Sequence, residues 1–297
     1  MGCLKRYKNM DYIIHLLIII ALYIPFALSL NLIVGHSGIL SMSHSAFYGL
    51  GAYATAILTK FYNVSFFLSL IIGACIAAAT AMLIAYSLKN VRGDYYALAS
   101  MGLAVIMYSL FMNINSITKG PFGIFGIARP EILGYSISST ISFLIFAILV
   151  AVLSALIMHA LTHTHFIKVL HAIREDEDVL KVFGYNINSY KIVVFAIGSI
   201  FASISGSMYA SYISFIDPSS FTLNESIFLL TVIILGGLAS TRGVIVGVIT
   251  LTLLPELLRF IGLPNEIAAQ TRVILYGLAL IYLMYKRPVG LFGKYSL

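Results

Sequence analysis

Nine apolar segments separated by short polar loops make up most of the chain. They run Ile13–Val34, Ser37–Thr59, Val64–Leu88, Tyr95–Asn113, Ile137–Leu161, Ile192–Phe215, Ile227–Leu238, Val244–Ile261 and Ile267–Tyr285. A helix needs about 20 predominantly apolar residues to span the hydrocarbon core of a bilayer. Most of the segments meet or approach that length. None alternates apolar and polar residues as a barrel strand would. The expected fold is therefore an all-α polytopic membrane protein, a bundle of about 8–9 transmembrane or re-entrant helices in a single domain over residues 1–297.

Composition supports this. The 297 residues are 60% hydrophobic and 10% charged, with a mean hydropathy of +1.00. Soluble domains run at about 45–50% apolar and about 25% charged. A soluble enzyme, a disordered chain and a nucleic-acid binder are excluded. The net charge of +7 comes from basic residues between apolar runs, where they report orientation rather than a nucleic-acid partner. Cys3 and Cys75 form neither a disulfide framework nor a metal-ligand pattern. The basic start, Lys5, Arg6 and Lys8, precedes an apolar run longer than the h-region of a signal peptide, so we read that run as a retained span.

Lys and Arg in short loops set topology. Basic clusters lie at Lys5–Lys8, at Lys89 and Arg92, within the loop 163–191, and at Lys286 and Arg287. All four are expected on the cytoplasmic side. Apolar segments between successive clusters are even in number except between Lys8 and Lys89, where there are three. A re-entrant or broken Ser37–Thr59 restores parity, because that segment carries Gly38, Gly49, Gly51 and the run Ser41, Ser43, His44, Ser45. Irregular backbone at membrane depth survives only where protein or a watery cavity surrounds it. The alternative is an N-terminus outside with every segment crossing.

A second glycine-rich interruption, Leu235-Gly236-Gly237-Leu238-Ala239-Ser240, echoes Gly35-His36-Ser37-Gly38-Ile39-Leu40-Ser41. Matching interruptions in two halves point to an internal repeat and a pathway between the repeats. Close packing through small residues is the competing explanation. The candidate pathway residues are Ser41, His44, Gly236, Gly237 and Ser240.

Two loops stand out. The stretch 116–136 on the expected outside holds Thr118, Gly120, Pro121, Gly123, Gly126 and Pro130, and suits a lid, a docking surface or a connector. The loop 163–191 places Ile167, Leu170 and Ile173 at helical spacing before four consecutive acids, Glu175, Asp176, Glu177 and Asp178. Leu180 and Phe183 follow, and Gly184 is placed to end the second short helix. Two amphipathic helices joined by an acidic elbow suit a groove on a partner. Alternatively they cover their own bundle at the interface, although acids there are repelled by anionic headgroups. His163, His165 and His171 lack the carboxylate or cysteine spacing of a tetrahedral metal site, so no metal is assigned. Glu256 and Glu266 are acids near membrane depth, Glu256 placed for a local pair with Arg259. No phosphate-binding Gly-x-x-x-x-Gly-Lys-[Ser/Thr] loop occurs, so ATP must be handled by another chain if it is used at all.

Ordered motifs run along the chain. They are Gly35-x-x-Gly38-x-Leu40-Ser41-x-x-His44-x-Ala46-Phe47-x-Gly49-x-Gly51-Ala52-Tyr53; Arg92-Gly93-x-Tyr95-x-Ala97; Thr118-x-Gly120-x-x-Gly123; and Leu170-x-Ala172-Ile173-Arg174-Glu175-Asp176-Glu177. Later come Gly236-Gly237-Leu238-x-Ser240-x-x-Gly243-x-x-x-Gly247, Leu254-Pro255-Glu256 with Arg259, and Arg287-Pro288-x-Gly290-Leu291-x-Gly293. Together they resemble the permease subunits of branched-chain amino-acid ABC importers, most closely the LivM type. Ser43 stands where such chains usually have glycine, His36 where they often have tyrosine, and Ser203 and Ser205 in a stretch usually richer in Gly and Ala.

The resemblance implies a multi-pass permease of the bacterial inner membrane that does no covalent chemistry and needs no cofactor. It would form half of a pore with a second permease subunit. Two cytoplasmic ATPase subunits would drive it, and a periplasmic substrate-binding protein would deliver a small amino acid. The coupling contact with an ATPase would fall on Leu170, Ile173, Arg174, Glu175, Asp176, Glu177, Leu180 and Gly184. Urea or a short amide is the alternative cargo within this class. An ATP-independent channel or carrier is the alternative outside it, and would need ionisable groups in mid-membrane. A membrane-embedded enzyme would need a clustered nucleophile, base or metal set.

Overall fold

The computed structural model describes residues 2–132, 135–260, 274, 277–278, 281, 285–286 and 290–293. Helix α1 spans Gly2–Asn31, carries Pro25 within it, and continues as a π-helical turn at Leu32–His36. The chain is then non-helical until α2, His44–Phe61. There follow α3 (Phe66–Ser87), α4 (Asp94–Asn113) and α5 (Thr140–Thr162). The short pair α6 (His165–Glu175) and α7 (Glu177–Val182) precedes α8 (Ile187–Ile213), α9 (Leu223–Gly236) and α10 (Thr241–Phe260). The fold is the all-α membrane bundle expected.

Among the described residues, five stretches are long and apolar enough to cross a bilayer: Asp11–His36, α3, α4, α5 and α8. α9 and α10 hold shorter apolar stretches. The expected span Ile267–Tyr285, with Glu266 and Arg287, lies for the most part outside the described residues, as do the side chains of Glu256 and Arg259.

α8 is the centre of the bundle and packs most extensively on α2 and α3, while α1 lies against α5, α8 and α10. In lipid, helices associate through close packing of small residues rather than through water exclusion. The α2–α8 crossing shows this. A Cβ on Gly206 would overlap the Tyr48 carbonyl, and one on Gly51 would overlap the Ser203 carbonyl. Ser207 on α8 donates to the Gly51 carbonyl at 3.1 Å. Ser203 and Ser205 are both buried, Ser205 donating to the Leu22 carbonyl of α1, so this serine-rich stretch serves helix packing.

Two faces can be told apart by their contacts. On one, Arg92 after α3 meets Asp178 of α7, and Arg174 of α6 meets the end of α1 at Val34 and Gly35. On the other, His15 of α1 meets Tyr212 of α8, and Lys60 of α2 meets the Phe125 carbonyl. The basic residues around the elbow mark the first as cytoplasmic. α1 therefore enters from outside and ends inside, and the chain from His36 to Phe61 returns all the way. This overturns two expectations. The Lys5–Lys8 end of α1 lies opposite Arg92, and Ser37–Thr59 runs from the elbow face of the bundle to the far face rather than turning back. The parity problem is resolved by an outside N-terminus, and the glycines and serines break the second crossing without turning it back. Lys60 and Lys89 lie on opposite faces as expected.

The outer loop is anchored. Thr118 is buried and donates to the Phe111 carbonyl at 2.7 Å. Strand β1 (Ile124–Phe125) pairs antiparallel with β4 (Phe215–Ile216), while β2 (Glu131–Ile132) pairs with β3 (Tyr135–Ser136).

Candidate functional site: the helix breaks and the cytoplasmic elbow

The first break, residues 37–43, replaces the helical ladder with hydrogen bonds to serines. The Met42 amide donates to Ser100 Oγ on α4 at 2.9 Å. The Ser45 amide donates to Ser226 Oγ on α9 at 2.9 Å, and the two hydroxyls are also 2.9 Å apart. Unwound backbone in a membrane protein needs such partners. Ser41 is buried with its Oγ 3.1 Å from Ser43 Oγ. His44 is wholly buried: Nε2 lies 2.6 Å from Ser29 Oγ of α1, the ring stacks on Phe26, and Nδ1 has no hydrogen-bond partner among the described residues.

The second break lies beside the cytoplasmic end of α1. The Ala239 amide donates to Asn31 Oδ1 at 3.0 Å, and a Cβ on Gly35 would stand 2.6 Å from the same nitrogen. The two glycine-interrupted segments that echo each other in sequence thus touch. Gly237 has φ 113°, which favours glycine, and a Cβ there would overlap the Gly293 amide. The tail explains why: the Leu291 and Phe292 amides donate to the Leu235 and Gly236 carbonyls at 3.0 and 2.9 Å, satisfying the end of α9. A Cβ on Gly236 would overlap the Gly243 carbonyl. Ser240 Oγ accepts the Gly243 amide at 3.1 Å and so caps α10. Close packing thus accounts for Gly236 and Gly237, and capping for Ser240.

In the elbow, the apolar face of α6 is turned inward. Ile167, Leu170 and Ile173 are buried in the main core. Arg174 Nη1 donates to the Gly35 carbonyl and, at 3.4 Å, to that of Val34. His171 Nε2 lies 2.8 Å from His36 Nδ1. α6 is thereby fastened to the π-turn that leads into the first break. The acids have partners in the same chain. Asp176 caps α7 by accepting the Asp178 and Val179 amides, Glu177 pairs with buried Lys191, and Asp178 meets Arg92 at 3.1 Å and Lys181 at 2.9 Å. Arg92 and Lys181 hold the Asp178 carboxyl down at about 2. Glu175 is exposed, Leu180 is half-buried against the core, and Gly184 follows α7 at φ 81°. Val179, Val182 and Phe183 are exposed, at 50%, 87% and 74%.

Sequence reasoning missed Asn31, Ser100 and Ser226. The signal for Asn31 and Ser100 was present: polar side chains within apolar runs cost free energy unless partnered.

The sequence pattern of the family described as "Branched-chain amino acid transport system / permease component" matches residues 12–284. The chain belongs to this family. It is 32% identical over 293 residues to the high-affinity branched-chain amino acid transport system permease protein LivM of Escherichia coli K12, covering 91% of this chain and 67% of that one. The protein of the same name from Salmonella typhimurium is 31% identical with the same coverage. The ribose import permease protein RbsC of Escherichia coli K12 is 29% identical over 187 residues, covering 60% of this chain and 54% of that one. No solved structure matches. This family member is a multi-pass membrane subunit of a transport system.

Proposed function

We propose that the chain is the permease subunit of an ATP-driven importer that moves branched-chain or similar small amino acids into the cytoplasm. It works in the bacterial inner membrane with a second permease subunit, two cytoplasmic ATPase subunits and a periplasmic binding protein. The observation that carries this reading is the elbow. Its base is locked to α1 through Arg174 and His171, while Val179, Val182 and Phe183 stand clear of the bundle. An apolar tip on a rigid base suits a groove on a soluble partner and passes that partner's motion to the break at residues 37–43. The coupling surface is thus assigned to the α7 tip, with Leu170, Ile173 and Arg174 as its anchor to the bundle and the acids as its brace. The proposed pathway passes Ser41, His44 and Ser240, with Gly236 and Gly237 shaping the second break.

The test is reconstitution of the whole complex, with uptake and ATP hydrolysis stimulated by the loaded binding protein as readouts. Losing an apolar anchor from a partner groove costs about 2 kcal/mol or more, so Phe183→Asp should weaken ATPase binding by more than roughly tenfold. Full assembly and uptake by Phe183→Asp would remove the tip from the interface.

A further inference from the structure

α9 carries a carboxylate that the breaks and the elbow leave unexplained. Glu225 lies in the first turn of α9, within the membrane bundle. Among the described residues it forms no ion pair, and it accepts a hydrogen bond from the Tyr23 hydroxyl of α1, 3.0 Å from Oε2. An ionisable side chain in such a place is expensive unless something charged meets it. Glu225 keeps partial exposure and its neighbour Asn224 is exposed.

The surroundings are aromatic. The Tyr23 ring meets Phe228 edge-on at 5.5 Å and Phe26 at 6.2 Å. Phe26 stacks on Tyr48 at 4.3 Å, and Tyr48 meets Tyr209 at 5.6 Å. Tyr48 and Tyr209 belong to the same aromatic cluster as Tyr23, linked through Phe26. Aromatic faces attract cations, most strongly where water is scarce, and groups of rings recognise ammonium ions. One carboxylate and three tyrosines drawn from α1, α2, α8 and α9 make a site for a single small cation with hydrogen-bond donors. A primary ammonium fits: it is a compact charge with three N–H groups, enough for the carboxylate and a tyrosine oxygen together.

We propose that Glu225, with Tyr23, Tyr48 and Tyr209, forms a binding station for a primary ammonium group inside the membrane domain. This rests on the amino-acid import reading only for the identity of the cargo, the α-ammonium of the substrate. The station lies on the outer side of the first break, since Tyr23 and Tyr48 stand outward of Ser29 and His44 on their helices. A substrate entering from outside would meet it before the serine-lined break.

Two measurements on the assembled complex in vesicles test this. The first is modification of Glu225 by dicyclohexylcarbodiimide, read by mass spectrometry of the α9 peptide. Methylammonium should slow it several-fold, and 4-methylpentanoate, which lacks the amine, should not. Equal rates with and without methylammonium overturn the proposal. The second is leucine uptake, normalised to assembled complex. Glu225→Gln keeps an acceptor for Tyr23 and removes the charge, so uptake should fall roughly tenfold, and Glu225→Asp should recover part of it. Unchanged uptake by Glu225→Gln also overturns the proposal. If wild-type complex moves no leucine, the import reading fails, while the protection experiment still reports on the ammonium site.

Discussion

At the scale of single residues, the acids of the elbow behave differently from solvated charges. Glu177 reaches Lys191, which is buried at the start of α8, and Arg92 lies 3.8 Å away on its other side. Breaking a buried pair leaves an uncompensated charge, at roughly 3 kcal/mol. Lys191→Met should therefore lower the thermal stability of the detergent-solubilised protein, and the double variant with Glu177→Gln should recover part of the loss. A double-variant loss equal to the sum of the two single-variant losses would show the pair to be uncoupled. Glu177→Gln alone should be costlier than a surface change, in contrast to the mild effect a rim charge would have. Asp178 sets a pH limit. Arg92 and Lys181 hold its carboxyl at about 2, below the ordinary 3.8, so its contribution is complete above that ordinary value and is lost as the pH falls toward 2. Asp178→Asn should abolish this acid-side change, measured as protection of the α7 amides from hydrogen exchange between about pH 5 and pH 2.

At the scale of elements, the end of α9 depends on a tail distant in sequence. Gly237 combines φ 113° with a Cβ direction closed by the Gly293 backbone. Gly237→Ala should destabilise by roughly 1–3 kcal/mol, through backbone strain and overpacking. Gly102 is the control: it lies in α4 with nothing within 4 Å of a built Cβ, so Gly102→Ala should be neutral or stabilising by up to about 1 kcal/mol. Thermal unfolding of both variants checks this, and a Gly237→Ala as stable as Gly102→Ala would mean the tail does not hold α9. A transport defect in a bulkier Gly237 variant would accordingly report packing before pathway. The α6–α1 contact is the other element-level joint. Arg174→Met removes charge-assisted hydrogen bonds from the Val34 and Gly35 carbonyls, worth roughly 1.5–3 kcal/mol. ATP hydrolysis by the assembled complex should then run with reduced uptake per ATP, and unchanged stoichiometry would argue against α6 as the transmitting element.

At the scale of the whole molecule, the start of α1 and the elbow of α6 and α7 lie on opposite faces of the bundle, and the basic residues around the elbow mark its face as cytoplasmic. In a background without Cys3 and Cys75, single cysteines at exposed Asp11, at Lys60 and at Lys89 can be probed with an impermeant thiol reagent in cells with a permeabilised outer membrane. Asp11→Cys and Lys60→Cys should react from outside and Lys89→Cys should be protected. Protection of Asp11→Cys alongside Lys89→Cys would restore a cytoplasmic N-terminus.

The sequence by itself determined the class and the place of the breaks, because hydropathy over a span's length and glycine-serine interruptions are local signals. It also marked the elbow, since helical spacing on both sides of four acids is readable without contacts. Only the tertiary structure decided the rest. Three basic residues before Ile13 outweighed nothing once Arg174 and His36 fixed the far end of α1 to the elbow. Helical periodicity shows that α6 has an apolar face but not what covers it, and the bundle itself covers Ile173, leaving Phe183 free for a partner. The tyrosines grouped with Glu225 come from three other helices, α1, α2 and α8, and Gly237 meets a glycine in the tail. Such contacts are set by how whole helices cross, which depends on small-residue packing summed along their length rather than on any one local pattern.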